Sequence, residues 1–328
     1  MVNLGGVIVA NLESGQSLTA RAVAFSGPGG VEVIRVIDRE VPPPAEGQVR
    51  IAVRAAAINP TDILLRQMGS ADQPPPAVPG VDAAGTIESI GPGVSRLSVG
   101  QKIVAVVKAH RPEGGAQSQY IVVPAASVVP MPDGLSFAEA CTISMNGLTA
   151  MRSLELADLR AGQSLAITGG AGLLAQYATV IAKGRGLRVI ADAKPEEAET
   201  VRSYGAEVVV DRGPGFADAV RRAFPDGVDA LIDTAVLEEK AFPAIRDGGV
   251  YLSVRRWKER PVERGILVKP ILVYDVFERT EWLEELRRLT EAGKIVPCVA
   301  GEYTPEQTGA AHAVQEAGGV RGRLVILF

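Results

Sequence analysis

The stretch Leu165–Ala178, LAITGGAGLLAQYA, places apolar residues on both sides of a small-residue cluster and carries no charge. Three readings compete for it: a buried packing segment, a membrane span, or a turn that holds phosphate. The uncharged run continues from Gln163 to Ala182, long enough to suggest a span. The GG and AG pairs near its start break a continuous helix, and β-type residues precede them, so a span is rejected. LAIT reads as a strand, GGAG as a turn and LLAQYATVIAK as a helix. Gly170, Gly172 and Ala175 then match G-x-G-x-x-G/A. The first allows a tight turn, the second lets backbone approach a pyrophosphate, and the small third residue lets helix pack on strand. The helix N-terminus supplies free N–H groups and a positive dipole end.

Sequence context turns this weak motif into a strong one. Downstream, RVIAD, EVVVD, VDALIDT and VYLSV alternate with the helical segments PEEAETVRSYG, FADAVRRAF and EEKAFPAIRDGG, the rhythm of a parallel sheet with crossover helices. Upstream, Ala22 to about Val129 reads as short strands separated by Gly and Pro turns, including VEVIRVI, VRIAVRAAAI and QYIVVP, hence an antiparallel β domain. LSFAEACTISMNGLTAMRSLELADL joins the two with helical period, and EWLEELRRLTEAGK opens a closing segment ending in RGRLVILF, whose strand is expected to return to the first domain. The fold class is therefore α/β, a β-rich domain plus a doubly wound parallel-sheet domain. The boundaries are 1–142 (with an extension over 1–20), 143–276 and 277–328.

With 328 residues the chain exceeds one ordinary core, in keeping with two domains. A net charge of −4 offers no general attraction for nucleic acid or acidic membranes, and the basic run Arg255–Arg260 reads as a solvated loop. Cys141 and Cys298 lie too far apart for a CxxC pair, and the N-terminus has no basic leader, which points to a reducing, cytoplasmic setting. Cys141, in an apolar helical run, is expected to be buried.

Cofactor choice is read near the end of the next strand, in RVIADAK. Asp192 sits at the distance of an acid that holds ribose hydroxyls; if the true position is Ala193, the acid is absent, and Lys194 with Arg212 would pair a 2′-phosphate. The balance favours NADPH over NADH, with both basic residues also readable as solvated charges.

INPTDILLRQMG, VPGVDAAGTIESIGPGVSRLSVGQKIV, the GLTA segment before the nucleotide turn, and GGVRGRLVILF together resemble the zinc-free quinone oxidoreductase and enoyl reductase branch of the medium-chain dehydrogenase/reductase superfamily. The resemblance covers about Arg21 to Phe328. It implies a GroES-like catalytic domain and a Rossmann domain with the active cleft between them, and a homodimer. Where zinc enzymes of the superfamily carry Cys and Gly-His-Glu, this chain has Asn59 and Gly80-Val81-Asp82, so no zinc is expected. Two histidines and two distant cysteines are also too few for the usual ligand clusters. His110 and His312 read as surface or loop residues.

The resemblance places Asn59, Thr61 and Asp62 at the cleft as candidate catalytic residues. Asn59 is equally a donor to substrate or cofactor and a turn initiator in NPTD. The candidate cofactor-binding set runs through Thr168, Gly169, Gly170, Ala171, Gly172, Leu173, Leu174 and Ala175, then Asp192, Ala193, Lys194 and Arg212. The resemblance adds Asn146 and Thr149 near the nicotinamide. Thr234-Ala235 and Ser253-Val254 follow strands, where ligands collect. Arg321 or Arg323 is expected to reach a cofactor phosphate or to sit in a solvated turn. Related enoyl reductases carry a Tyr shortly after the NPTD-like motif as proton donor; QMGSADQPPP has none. The expected activity is hydride transfer from NADPH to a quinone or α,β-unsaturated carbonyl, without nucleic-acid or membrane partners. The alternatives are an enoyl-thioester reductase of a biosynthetic pathway and a non-catalytic NADPH-binding sensor or structural protein.

Overall fold

A computed structural model describes residues 16–73, 75–258 and 262–328. Most of the expected extension 1–20 lies outside them, but Leu18–Ala20 already belong to a strand. The N-terminal part contains β1 Leu18–Phe25, β2 Ile34–Val41, β3 Gln48–Ile58, helix α1 Pro60–Met68, β4 Asp82–Ile90, β5 Lys102–Val106, β6 Tyr120–Pro124 and β7 Val128–Pro130. α2 Phe137–Ala140 and α3 Ser144–Ala157 lead into β8 Ser164–Thr168, α4 Leu173–Gly184, β9 Arg188–Ala193, α5 Ala198–Ser203, β10 Val208–Asp211, α6 Phe216–Ala223, β11 Val228–Asp233, β12 Ile245–Ser253 and β13 Leu267–Pro270. The chain closes with α7 Thr280–Glu291, β14 Val299–Tyr303, α8 Thr308–Ala317 and β15 Arg323–Leu327.

Among the described residues the strands form a β1–β2 pair, a seven-stranded sheet in the order β14-β15-β3-β4-β5-β7 with β6 also on β3, and a six-stranded sheet in the order β10-β9-β8-β11-β12-β13. The six-stranded sheet is parallel at every pairing. β8 is buried along its whole length, as a central strand covered on both faces must be. Its uncharged sequence follows from that burial, which also explains why the stretch resembles a span. No described helix is long and apolar enough to cross a membrane. The strand order reverses between β8 and β11, the switch point where such sheets bind ligands. β15 runs antiparallel to β3, Leu324 opposite Ile58, so the closing segment joins the first sheet.

Three expectations change. β13 is a sixth strand beyond the five read from the sequence, because LVKP is too short and too broken by Pro to show a pattern. EEKAFPAIRDGG forms a 3-10 turn over Glu238–Ala244 and then enters β12, since Pro243 cannot continue an α-helix. VEVIRVI starts as a 3-10 turn, Val31–Val33, before β2.

Candidate functional site

The turn between β8 and α4 places its glycines by steric need. Gly169 has φ +66°, and a Cβ there would lie 2.8 Å from Thr234 Oγ1. The left-handed position is therefore Gly169, one residue before the Gly170 assigned from the motif. Gly170 has ordinary φ but packs on β9, with its N–H donating to the Asp192 carbonyl at 3.0 Å. Gly172, the N-cap of α4, is exposed, and a Cβ there would meet only the Gly169 carbonyl, at 3.1 Å. The first intrahelical bond runs from Gln176 N to Gly172 O at 2.9 Å, so the N–H groups of Leu173, Leu174 and Ala175 have no intrahelical acceptor. Leu173 and Ala175 are buried, and Ala171 borders the same turn. These groups form a cradle fit for a pyrophosphate.

Side chains tie the strand ends around this cradle. Thr168 Oγ1 donates to Asp233 Oδ1 at 2.7 Å and accepts from Ala235 N at 3.0 Å; Thr234 Oγ1 donates to the Thr168 carbonyl at 2.5 Å. Thr168, Thr234 and Ala235 thus brace the switch point. Ser253 ends β12 on the same edge of the sheet and Val254 follows it, with Ser253 Oγ accepting from Arg255 N. A pocket of about 440 Å³ opens beside the turn, lined among others by Ala171, Leu173, Tyr204, Lys294, Cys298 and Arg321. Arg321 donates to the Tyr204 hydroxyl at 2.8 Å within it. Tyr204 and Lys294 were missed in the sequence because they come from just past the ends of α5 and α7, far from the glycine turn along the chain.

At the end of β9, Asp192 is buried and turns toward the glycines, accepting from Gly170 N at 3.2 Å. Burial raises its pKa despite that bond and the charge of Arg212. Ala193 is buried and Lys194 exposed. Arg212 lies 3.7 Å from both Asp192 and Glu197, so its charge is already shared between two carboxylates.

A second cluster sits where α1, α3, β4 and β15 meet. Asn59 is the extended N-cap of α1, with Pro60 opening the helix. Its amide donates to Asp82 Oδ2 at 2.9 Å, and its carbonyl accepts from Arg323 Nε at 3.1 Å. Arg323 Nη2 donates to Asn146 Oδ1 at 2.5 Å, and Met145 N donates to Asp82 Oδ1 at 2.7 Å. Asn59 is thus engaged at both ends, with one of its two amide N–H donors given to Asp82. Arg323 belongs to this network rather than to a phosphate or a solvated turn. Asn146 lies in the network, and Thr149 one turn on, its hydroxyl bonded to the Met145 carbonyl at 2.6 Å. Thr61 Oγ1 is buried without a protein partner among the described residues, the sort of group a bound oxygen would satisfy.

Asp62 accepts from Asn59 N at 2.8 Å and Gly80 N at 3.0 Å, yet burial, reinforced by the charge of Asp82, pushes its pKa up to about 7. Burial likewise raises Asp82 to about 6, against its bonds from Asn59 and Met145. Unfolded, Asp62 ionises near 3.8; folded, near 7. Across that window the folded state holds the extra proton, so this group's contribution favours folding fully below the lower value and is lost as pH rises. One fully titrating group gives a slope of up to about 1.4 kcal/mol per pH unit. In urea unfolding followed from about pH 4.5 to 7, Asp62→Asn is expected to show a shallower fall in stability than wild type. Identical slopes would contradict the assignment.

The described residues contain no group of three or more His, Cys, Asp and Glu able to hold a metal ion. Asp82 uses both oxygens on N–H donors, and the Arg323 guanidinium stands beside it, unfavourable surroundings for a dication. The donor set does not fit zinc. Cys141 is buried in the joint core. His312 corrects its surface reading: it lies fully buried in α8, where burial lowers its pKa to about 4. His110 lies partly buried in the loop after β5, its Nε2 3.1 Å from the Tyr274 hydroxyl.

A parallel sheet with a glycine turn at its switch point, joined to a β domain through a buried polar network, defines a nucleotide-dependent oxidoreductase architecture. The chain belongs to the medium-chain dehydrogenase/reductase superfamily: residues 45–133 match the alcohol dehydrogenase GroES-like domain, and residues 204–326 the family described as zinc-binding dehydrogenase. It is 29% identical over 317 residues to the chloroplastic NADPH-dependent alkenal/one oxidoreductase of Arabidopsis thaliana, covering 93% of this chain and 79% of that protein. It is 27% identical over 338 residues to the quinone oxidoreductase of Mus musculus, covering 97% and 100%. An alcohol dehydrogenase superfamily protein from Novosphingobium aromaticivorans superposes with a TM-score of 0.84 at 25% identity, covering 95% of this chain and all of that one.

Proposed function

We propose that the protein is a zinc-independent, NADPH-dependent reductase of quinones or α,β-unsaturated carbonyls. The observation that carries this reading is the pairing of the Gly169–Ala175 cradle with a buried polar network in which both Asp82 oxygens already accept from N–H donors. Thr168–Ala175, Arg321 and the Thr234-Ala235 and Ser253-Val254 strand ends would hold the cofactor, which supplies hydride when bound. The chain's own work is positioning: Arg323 fastens β15 to Asn59 on α1 and to Asn146 on α3, fixing the walls against which an acceptor rests. Thr61, with its unpaired hydroxyl, supplies a polar contact to the acceptor oxygen. Asp62 and Asp82 hold the backbone of Gly80 and Met145 in place.

NADPH is preferred over NADH through Lys194 and Arg212. The double variant Lys194→Ala/Arg212→Ala is expected to weaken NADPH binding about tenfold or more while leaving NADH within about twofold, measured by fluorescence titration. Equal losses for both would sink the preference, and tighter NADH binding would assign Asp192 to the ribose. We place the protein in the cytoplasm as a homodimer without nucleic-acid partners. The acidic balance supports the lack of nucleic-acid partners, and the exposed Leu267 on edge strand β13 supports pairing with a second copy.

A further inference from the structure

The segment after β13 brings Tyr274 to His110, which belongs to the loop after β5 in the other sheet. The two rings meet edge to face at 5.3 Å between centroids, with the hydroxyl 3.1 Å from Nε2. Both are placed beside the polar network. Val107, three residues before His110, donates to the Val81 carbonyl next to Asp82 at 2.7 Å, and the turn Val273–Val276 packs on α3, which carries Asn146. The charges of Asp62 and Arg256 both act on the Tyr274 hydroxyl.

We propose that Tyr274, seated by His110, is the proton donor for reduction of α,β-unsaturated carbonyls, filling the role for which the sequence offers no Tyr after the NPTD motif. The assignment rests on the reductase reading above. Hydride from the reduced nicotinamide adds to the β-carbon and leaves an enolate. The enolate electron pair forms a C–H bond at the α-carbon as the Tyr274 O–H bond breaks. The phenolate takes a proton from water through His110, so one enone, one reduced nicotinamide and one proton give one saturated carbonyl and one oxidised nicotinamide. Burial and the Asp62 charge push the Tyr274 pKa up to about 12, so the hydroxyl stays protonated until used. The nearby Arg256 charge favours the transient phenolate.

The test uses an enone with a substituted α-carbon, reduced in D2O. Wild type is expected to deliver the α-deuterium to one face. Tyr274→Phe, which keeps the ring contacts, is expected to cut kcat about a hundredfold and to give both α-configurations while the β-configuration, set by hydride, is unchanged. Without any cofactor, a 1,3-diketone enolate that cannot be reduced is expected to bind Tyr274→Phe about tenfold more weakly. His110→Asn, which removes both the contact that seats Tyr274 and the relay that returns its proton, is expected to lower kcat with little change in KM. An α-deuterium on both faces with wild type overturns the proposal without any variant, as does unchanged kcat and configuration in Tyr274→Phe. A wild type that reduces quinones but no enone overturns the Tyr274 assignment alone; one that reduces neither overturns the reductase reading and the assignment with it.

Discussion

Gly172→Asp is expected to raise stability slightly and to abolish tight NADPH binding in the same molecule. Gly172 caps α4 with φ −74° and ψ 155°, a conformation open to any residue. Aspartate is a better N-cap than glycine by a few tenths of a kcal/mol, and its charge at a helix N-terminus adds about 0.5 kcal/mol. The new carboxylate would also stand where the cofactor pyrophosphate belongs. Two like charges about 4 Å apart near a protein surface repel by about 4 kcal/mol. The NADPH Kd is therefore expected to rise at least about a hundredfold, read by fluorescence titration, while thermal unfolding shifts upward or stays put. An unchanged Kd would place the phosphates elsewhere. A large loss of stability would mean that the Gly169 carbonyl, 3.1 Å from where the new Cβ would stand, cannot give way.

Arg323→Met carries the second large effect. It keeps the stem but removes the fork, leaving the side-chain oxygens of Asn59 and Asn146, both in buried residues, without that donor. Each orphaned acceptor costs about 1–3 kcal/mol, so unfolding free energy is expected to fall by about 2–6 kcal/mol. The walls of the cleft also lose their cross-tie, and kcat/KM is expected to drop at least about thirtyfold, because small displacements of positioned groups are costly in rate. Arg323→Lys is expected to recover charge but little rate, since one ammonium cannot reproduce the two-directional fork. Urea unfolding and steady-state kinetics on the same preparations check both. Wild-type rates in Arg323→Met would make the network purely structural.

The glycine stretch was readable because strand, turn and helix each leave a local pattern, and their alternation fixed the parallel sheet. The exact turn glycine was not, since TGGAG offers Gly169 and Gly170 side by side and only backbone geometry shows which one has positive φ. Asn59 and Arg323 were each visible as candidates, but their mutual bond joins positions 264 residues apart, and nothing in either local pattern reveals it. The same distance problem hid Tyr274, 164 residues from His110. His312 looked like a surface residue because TGAAHAVQEA is mixed in polarity; its burial arises from packing of α8 against the first domain, including Phe25 at 5.7 Å between ring centroids. Short elements such as β13 lack the length for periodicity to show.

The most direct test of the central claim is NADPH oxidation by chelator-treated protein, followed by absorbance, with an alkenone and an ortho-quinone as acceptors and NADH in parallel. The account predicts turnover with at least one acceptor class, at least about tenfold faster with NADPH at subsaturating cofactor, and no gain on adding zinc. Turnover that requires zinc, or NADPH that binds without being oxidised by either acceptor, would contradict it.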